Sequence, residues 1–169
     1  ATLHTRMQVM VTMDVLHEIP GHASDGPGWG LDGGLRTGFG DEWLQVGPVK
    51  IFSDGSLLGT TAALSENYAC CSHHGYFQGD PEQMRTRALQ AANSGWSLAI
   101  HAIGDAAVDF AIEALEEAVD KHGAPAMPHR IEHGGVVRPD QIERLRGQPI
   151  VVVPQPLFIP AFGDAMADS

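Results

Sequence analysis

Apolar, β-branched runs and helical patterns take turns along this chain, and that alternation constrains its fold more than any other feature. Arg6 to Met13 (RMQVMVTM), Val49 to Ser53 (VKIFS), Ser97 to Ile103 (SLAIHAI), Arg130 to His133 (RIEH) and Ile150 to Val153 (IVVV) read as strands. Helical text separates the last four. Strand, helix, strand in succession implies parallel pairing through right-handed crossovers. Parallel strands are buried on both faces, and SLAI and IVVV carry the continuous apolar text expected of them. The chain is therefore α/β, as a doubly wound open sheet or as part of a (β/α)8 barrel.

The helix boundaries follow from their caps. Asp80 is placed to cap a helix with Pro81 at its first position, and Gly95 follows its end near Asn93. After Gly104-Asp105, the residues Val108, Ala111, Ile112, Leu115 and Val119 form one apolar stripe at helical spacing. Lys121 and His122 suit the negative end of that helix, and Gly123 closes it. Pro139 to Arg146 reads as a short helix with Ile142 and Leu145 inward. The Gly-rich stretch from Gly21 to Gly47 reads as a long loop with one short helix. Asp54-Gly55-Ser56 is a turn, and irregular text then runs to about Gly79. No pattern is legible from Asp164 to Ser169.

Composition bounds the function. With 169 residues, 43% of them hydrophobic and 18% charged, the chain suits one domain with a core of its own. A net charge of −11 repels phosphate backbones and disfavours nucleic-acid binding. No apolar run is long enough to span a membrane, and no signal peptide opens the chain. The adjacent Cys70 and Cys71 make no disulfide framework, which points to a reducing cytoplasm. The dinucleotide motif GxGxxG is missing after every strand, and no GxxxxGK[ST] phosphate loop exists.

Side chains alternate between the faces of a strand. Lys50, Phe52 and Asp54 share one face of the second strand. Ala99, His101 and Ile103 share one face of the third, and Ile131 and His133 one face of the fourth. Ligands in parallel α/β folds bind at the carboxyl ends of strands. His101 and His133 stand there one βα unit apart, close enough for one metal ion. Lys50 lies on the preceding strand and is one of only two lysines. As an ammonium it is a poor ligand, but carboxylated by CO2 it becomes a carbamate with two oxygens.

Each candidate has a plainer alternative. A lone His on a buried strand is more often a hydrogen-bonded core residue than a ligand. Asp105 at a helix start is simply a cap. Asp54 in its turn can serve an Asx-turn alone. Glu132 has the opposite parity to His133, which favours a structural ion pair. In Cys70-Cys71-Ser72-His73-His74, adjacent ligands converge poorly on one tetrahedral ion, so adventitious metal capture is the better reading.

At these residues the sequence resembles the amidohydrolase superfamily, specifically the amidohydrolase 3 group of YtcJ-like metal-dependent hydrolases. The matching text is GLRTGFGDEWLQVGPVKIFSDGSLLGTTAAL, WSLAIHAIGDAAVDFAIEALEEA, HRIEHGGVVRPDQIERL and IVVVPQP. The resemblance implies a (β/α)8 barrel with one or two divalent metals, usually Zn2+, at its C-terminal rim, cleaving C–N bonds in amides and formamides. It matches Lys50, His101 and His133 to metal ligands. It places Asp54 and Ser56 near the substrate pocket, with Gln155 able to line it.

The departures from that pattern set further expectations. No HxH pair occurs, and the strand-eight Asp, metal ligand and general base in the family, has no counterpart; Asp164 and Asp168 lie in text that does not read as a strand. The five strands would be numbers three to seven of the barrel. Residues 1–169 are thus expected to be a single partial TIM-barrel domain, an internal segment of a longer hydrolase that lacks the small β domain. The segment alone is expected to be inactive and to self-associate through exposed barrel edges, with a small amide-type substrate binding the longer parent. The alternatives are a non-catalytic binding or regulatory module built on a half-barrel, and a flavodoxin-like domain whose His residues are core.

Overall fold

A computed structural model describes residues 4–21 and 27–167. The elements run β1 (Met7–Thr12), β2 (His17–Ile19), β3 (Gly28–Gly30), β4 (Leu44–Phe52), α1 (Pro81–Asn93), β5 (Leu98–Ala102), α2 (Asp105–His122), β6 (His129–His133), α3 (Pro139–Leu145), β7 (Ile150–Val153) and α4 (Phe158–Ala167). The main sheet has the order β1-β4-β5-β6-β7, parallel throughout. Its strands follow chain order without reversal. A doubly wound sheet reverses at a switch point, and this sheet has none. The fold is a partial (β/α)8 barrel, and the flavodoxin-like alternative falls on the strand order. The β2–β3 pair is a small antiparallel ladder whose second strand lies inside the Gly-rich stretch that reads as loop in sequence.

The five sequence-predicted strands all form, with one boundary shifted by more than a single residue. Strand β4 begins at Leu44, five residues before the apolar run that marks it. Gly47 and Pro48 hide this early start. The register with β1 slips there, Val9 pairing with Val46 but Val11 with Val49. The extra residue on β4 makes a bulge, and a bulge tolerates a proline that has no N–H to give the ladder.

Register sorts the side chains into two faces. Ile51, Ile100 and Ile131 are paired across β4, β5 and β6 and are fully or nearly buried. They pack with Val108, Ala111, Ile112 and Leu115 of α2 and with Ala88 and Ala91 of α1. The predicted stripe on α2 is therefore the one that enters the core. The other face is open among the described residues. Phe52 is 55% exposed and Val151 45% exposed. The expectation that IVVV is buried on both sides is corrected: β7 is covered on one face only.

Helix α1 starts as its sequence predicts, with the Asp80 carboxylate accepting the Gln83 N–H at 2.9 Å. Helix α3 corrects an expectation. Gln141 is fully buried and Ile142 is 47% exposed, the reverse of the apolar reading. The Gln141 amide satisfies three partners at once: it accepts from Arg138 N and donates to Asp105 O and Asp109 Oδ1. That network outweighs burying one isoleucine on a seven-residue helix. Helix α4 takes in residues 164–167, where the sequence shows no legible pattern. It contains Asp164, while Asp168 lies outside the described residues.

Candidate functional site

Phe52, His101 and Glu132 are register partners across β4, β5 and β6, so all three belong to the open face. Lys50 sits one pleat earlier on that face, opposite Ala99 and Arg130. Strict alternation would leave His133 on the other face, with Ile131. The backbone resolves the conflict. His133 has φ of +77°, a left-handed conformation that costs a non-glycine residue about 1 kcal/mol or more. The turn brings its ring edge-on to the His101 ring, centroids 4.7 Å apart. Gly134, also at positive φ, carries the turn onward and donates to Ala102 O. The two histidines meet because the strand ends, whereas its pleat would separate them.

His101 is bound on one side only. Its Nε2 lies 2.8 Å from Gly55 O and 3.3 Å from Asp54 Oδ1. A carbonyl can only accept, so Nε2 carries the proton and Nδ1 presents a lone pair. That Nδ1 is buried and has no hydrogen-bond partner among the described residues. Burial lowers the His101 pKa and keeps the ring neutral. His133 engages Gln155 Oε1 through Nδ1 at 2.7 Å, and Phe158 stacks parallel to it at 6.4 Å.

Lys50 is half-buried on the open face, its Nζ 4.8 Å above the Phe52 ring. Burial brings its pKa down to about 8; Glu132 pulls it up and Arg130 pushes it down further. Glu132 makes the expected structural ion pair, with Arg130 at 2.7 Å, although its parity puts it on the same open face as His101. The Asp54 carboxylate is almost fully buried and accepts from the N–H groups of Ala63, Ile103 and Gly104. Burial pushes its carboxyl up against the pull of those donors. Asp54 thus ties the loop after β4 to the turn between β5 and α2. A side chain at Gly104 would collide with Ala63 O, so glycine is required where these segments touch.

A cavity of about 560 Å³ opens beside the histidines. His101, His133, Ser56 and Gln155 line it, with apolar walls from Leu57, Leu58, Ile103, Phe158, Ile159 and Phe162. Neither Asp54 nor Lys50 is among its lining residues. The structure thus brings Ser56, Gln155 and the two histidines to one cavity and leaves Asp54 behind them as an anchor.

Sequence reasoning passes over two features here. Arg138 bridges Asp105 and Asp109 at 2.7 Å each, and Asp105 also holds Ser65, so its role exceeds a cap. His129 is buried on the helix-covered side and accepts the Leu98 N–H on its Nδ1. A basic residue just before a helix carrying acids was the only signal for the first, and the second had none. Among the described residues no three His, Cys, Asp or Glu side chains converge as a metal site. No helix among them is long and apolar enough to cross a membrane.

The profile of the Amidohydrolase family matches residues 9–169. Protein LONG AFTER FAR-RED 3 of Arabidopsis thaliana is 35% identical over 127 residues, 75% of this chain and 22% of that protein. Putative amidohydrolase YtcJ of Bacillus subtilis (strain 168) is 35% identical over 118 residues, 69% of this chain and 22% of its own length. The chain thus spans about a fifth of these curated relatives. An uncharacterized metal-dependent hydrolase from Pyrococcus horikoshii OT3 superposes with a TM-score of 0.64 at 37% identity, over 75% of this chain and 25% of that one. Another from Pyrococcus furiosus gives 0.65 at 36%, over 76% and 26%.

Proposed function

This chain belongs to the amidohydrolase family, and from that premise we propose that it carries part of the metal site of a hydrolase acting on C–N bonds of amide or formamide type. The observation that carries the proposal is the meeting of His101 and His133, with a buried and unpartnered Nδ1 on His101. A buried acceptor without a donor is costly, and a cation relieves it. The donor set fits a divalent ion: two imidazoles, that of His101 held neutral by burial, and a lysine whose lowered pKa favours the free amine that CO2 carboxylates. Two imidazoles suit Zn2+ among the common divalent ions.

Lys50, His101 and His133 would hold the ion. When bound, it supplies Lewis acidity to a substrate carbonyl and brings a water's pKa toward neutrality. The protein's own groups do the positioning. Gly55 O and Asp54 fix the His101 tautomer, as partners behind metal-bound imidazoles do. Gln155 orients His133. Ser56 offers a hydroxyl at the cavity wall, and the apolar walls favour a substrate with an aryl or branched alkyl group beside its scissile bond. Three ligands, with no HxH pair in the chain, leave the set short of the family pattern, so the isolated chain binds metal weakly and does not turn over.

The test is Zn2+ calorimetry in bicarbonate buffer with carbon-13 NMR of the carbamate. Weak binding should vanish in His101→Ala/His133→Ala, and the carbamate signal should vanish in Lys50→Ala. Binding untouched by the double substitution would refute the metal assignment. Hydrolysis of N-formyl or N-acyl substrates by the isolated chain would refute its inactivity.

A further inference from the structure

We propose that Cys70 and Cys71 form a reversible vicinal dithiol, oxidised to a disulfide between adjacent residues by low-molecular-weight disulfides. Their sulfurs stand 2.6 Å apart. Both thiols are free and in hydrogen-bond contact. Cys70 is exposed and Cys71 half-buried, so an oxidant in solution reaches the first directly.

The loop that presents them is built. The Leu64 N–H donates to His74 O at 2.8 Å and closes its base. Inside it, Tyr68 N donates to His73 O and Cys71 N to Tyr68 O. The buried Tyr68 hydroxyl donates to Ala62 O at 3.0 Å. Tyr68, Ala62 and Ile103 form a small apolar cluster, and Cys71 packs against it. Ile103, a member of that cluster, also lines the cavity beside His101.

Metal capture by this loop is the weaker reading. His73 already accepts the Gly75 N–H on Nδ1 and leans on the Tyr68 ring at 5.6 Å. No third His, Cys, Asp or Glu joins the two sulfurs among the described residues.

The chemistry balances as ordinary exchange. The Cys70 thiol loses its proton to solvent and its thiolate attacks the oxidant's S–S bond. That bond breaks, one thiolate leaves, and a mixed disulfide remains on Cys70. The Cys71 thiol then loses its proton to solvent, and its thiolate attacks the Cys70 sulfur and expels the second thiolate. Two protein thiols are oxidised, and one small disulfide is reduced to two thiols.

The purified chain treated with oxidised glutathione should lose two hydrogens in intact mass and both Ellman-reactive thiols, and dithiothreitol should restore them. Cys71→Ser should instead keep one glutathione on Cys70, since nothing resolves it. Hydrogen exchange at residues 62–68 and at Ile103 should change on oxidation. Three results would overturn the proposal: a glutathione adduct that persists on the wild-type chain, a disulfide that links two chains on a non-reducing gel, or Zn2+ protecting both thiols at one equivalent. Circular dichroism of the serine variants confirms that each outcome is read on a folded chain.

Discussion

His101 and His129 sit on neighbouring strands of one sheet, and both are held neutral by burial, yet they face opposite sides and do different work. His129 lies on the helix-covered face in register with Ile150 and accepts the Leu98 N–H. Its environment uses the imidazole as one more acceptor in the core. His101 lies on the open face with one nitrogen engaged and the other buried without a partner. The same residue type is structural where helices close over the strand and chemically available where they do not. The contrast extends along β4 to β6: Ile51, Ile100 and Ile131 on one side, Lys50, Phe52, His101 and Glu132 on the other.

The sharpest way to break this comparison is to remove bulk from the covered face. Ile100 is fully buried between α2 and the neighbouring strands. Ile100→Ala should cost about 2–5 kcal/mol, from lost burial and from the cavity left behind. Urea unfolding monitored by far-UV circular dichroism measures it. A cost under about 1 kcal/mol, within the range of ordinary surface changes, would mean that this face is not the core.

A pH ramp separates the faces next. Burial lowers the His129 pKa to about 4 from 6.5. The unfolded chain takes up this proton below about 6.5 and the folded chain only near 4. Stability from this group is therefore complete above about 6.5 and is lost as pH falls toward 4, by about 3 kcal/mol in all. Imidazole NMR should show His129 without a titration step between pH 7 and about 5. A midpoint near 6.5 for that ring in the folded chain would erase the distinction.

What was legible in the sequence follows the same division. The covered face announces itself through periodicity: the α2 stripe, the Asp80 cap and the apolar strand runs each state a local preference that the fold keeps. Lys50 and His101 were legible too, since alternation alone assigns them to one face. The misreadings lie where a distant partner decides. His133 reaches the site through a backbone turn that alternation does not contain. Gln141 displaces Ile142 because Asp109 and the Asp105 carbonyl wait across the helix interface. Residues 44–47 of β4 read as loop text because the bulge that admits Gly47 and Pro48 to the strand depends on β1. Helix α4 supplies the aromatic wall of the cavity, and no local sequence signal marks it.

The smallest expected effect sharpens the comparison from the open side. Phe52 is the register partner of His101 and is more than half exposed. Its contacts are the Lys50 ammonium at 4.8 Å and the His101 ring at 5.5 Å. An exposed cation–π contact contributes about 0.5–1 kcal/mol, and little area leaves water when the ring packs. Phe52→Ala should therefore cost about 1 kcal/mol or less in urea unfolding, several-fold below Ile100→Ala on the opposite side of the adjacent strand. Removing the ring also exposes the Lys50 amine to water, so its pKa should climb from about 8 back toward 10.5. Nitrogen-15 NMR of the lysine side chain reads that shift. A cost of 2 kcal/mol or more would place about as much buried area under Phe52 as under a core residue, and the open face would then be covered in solution.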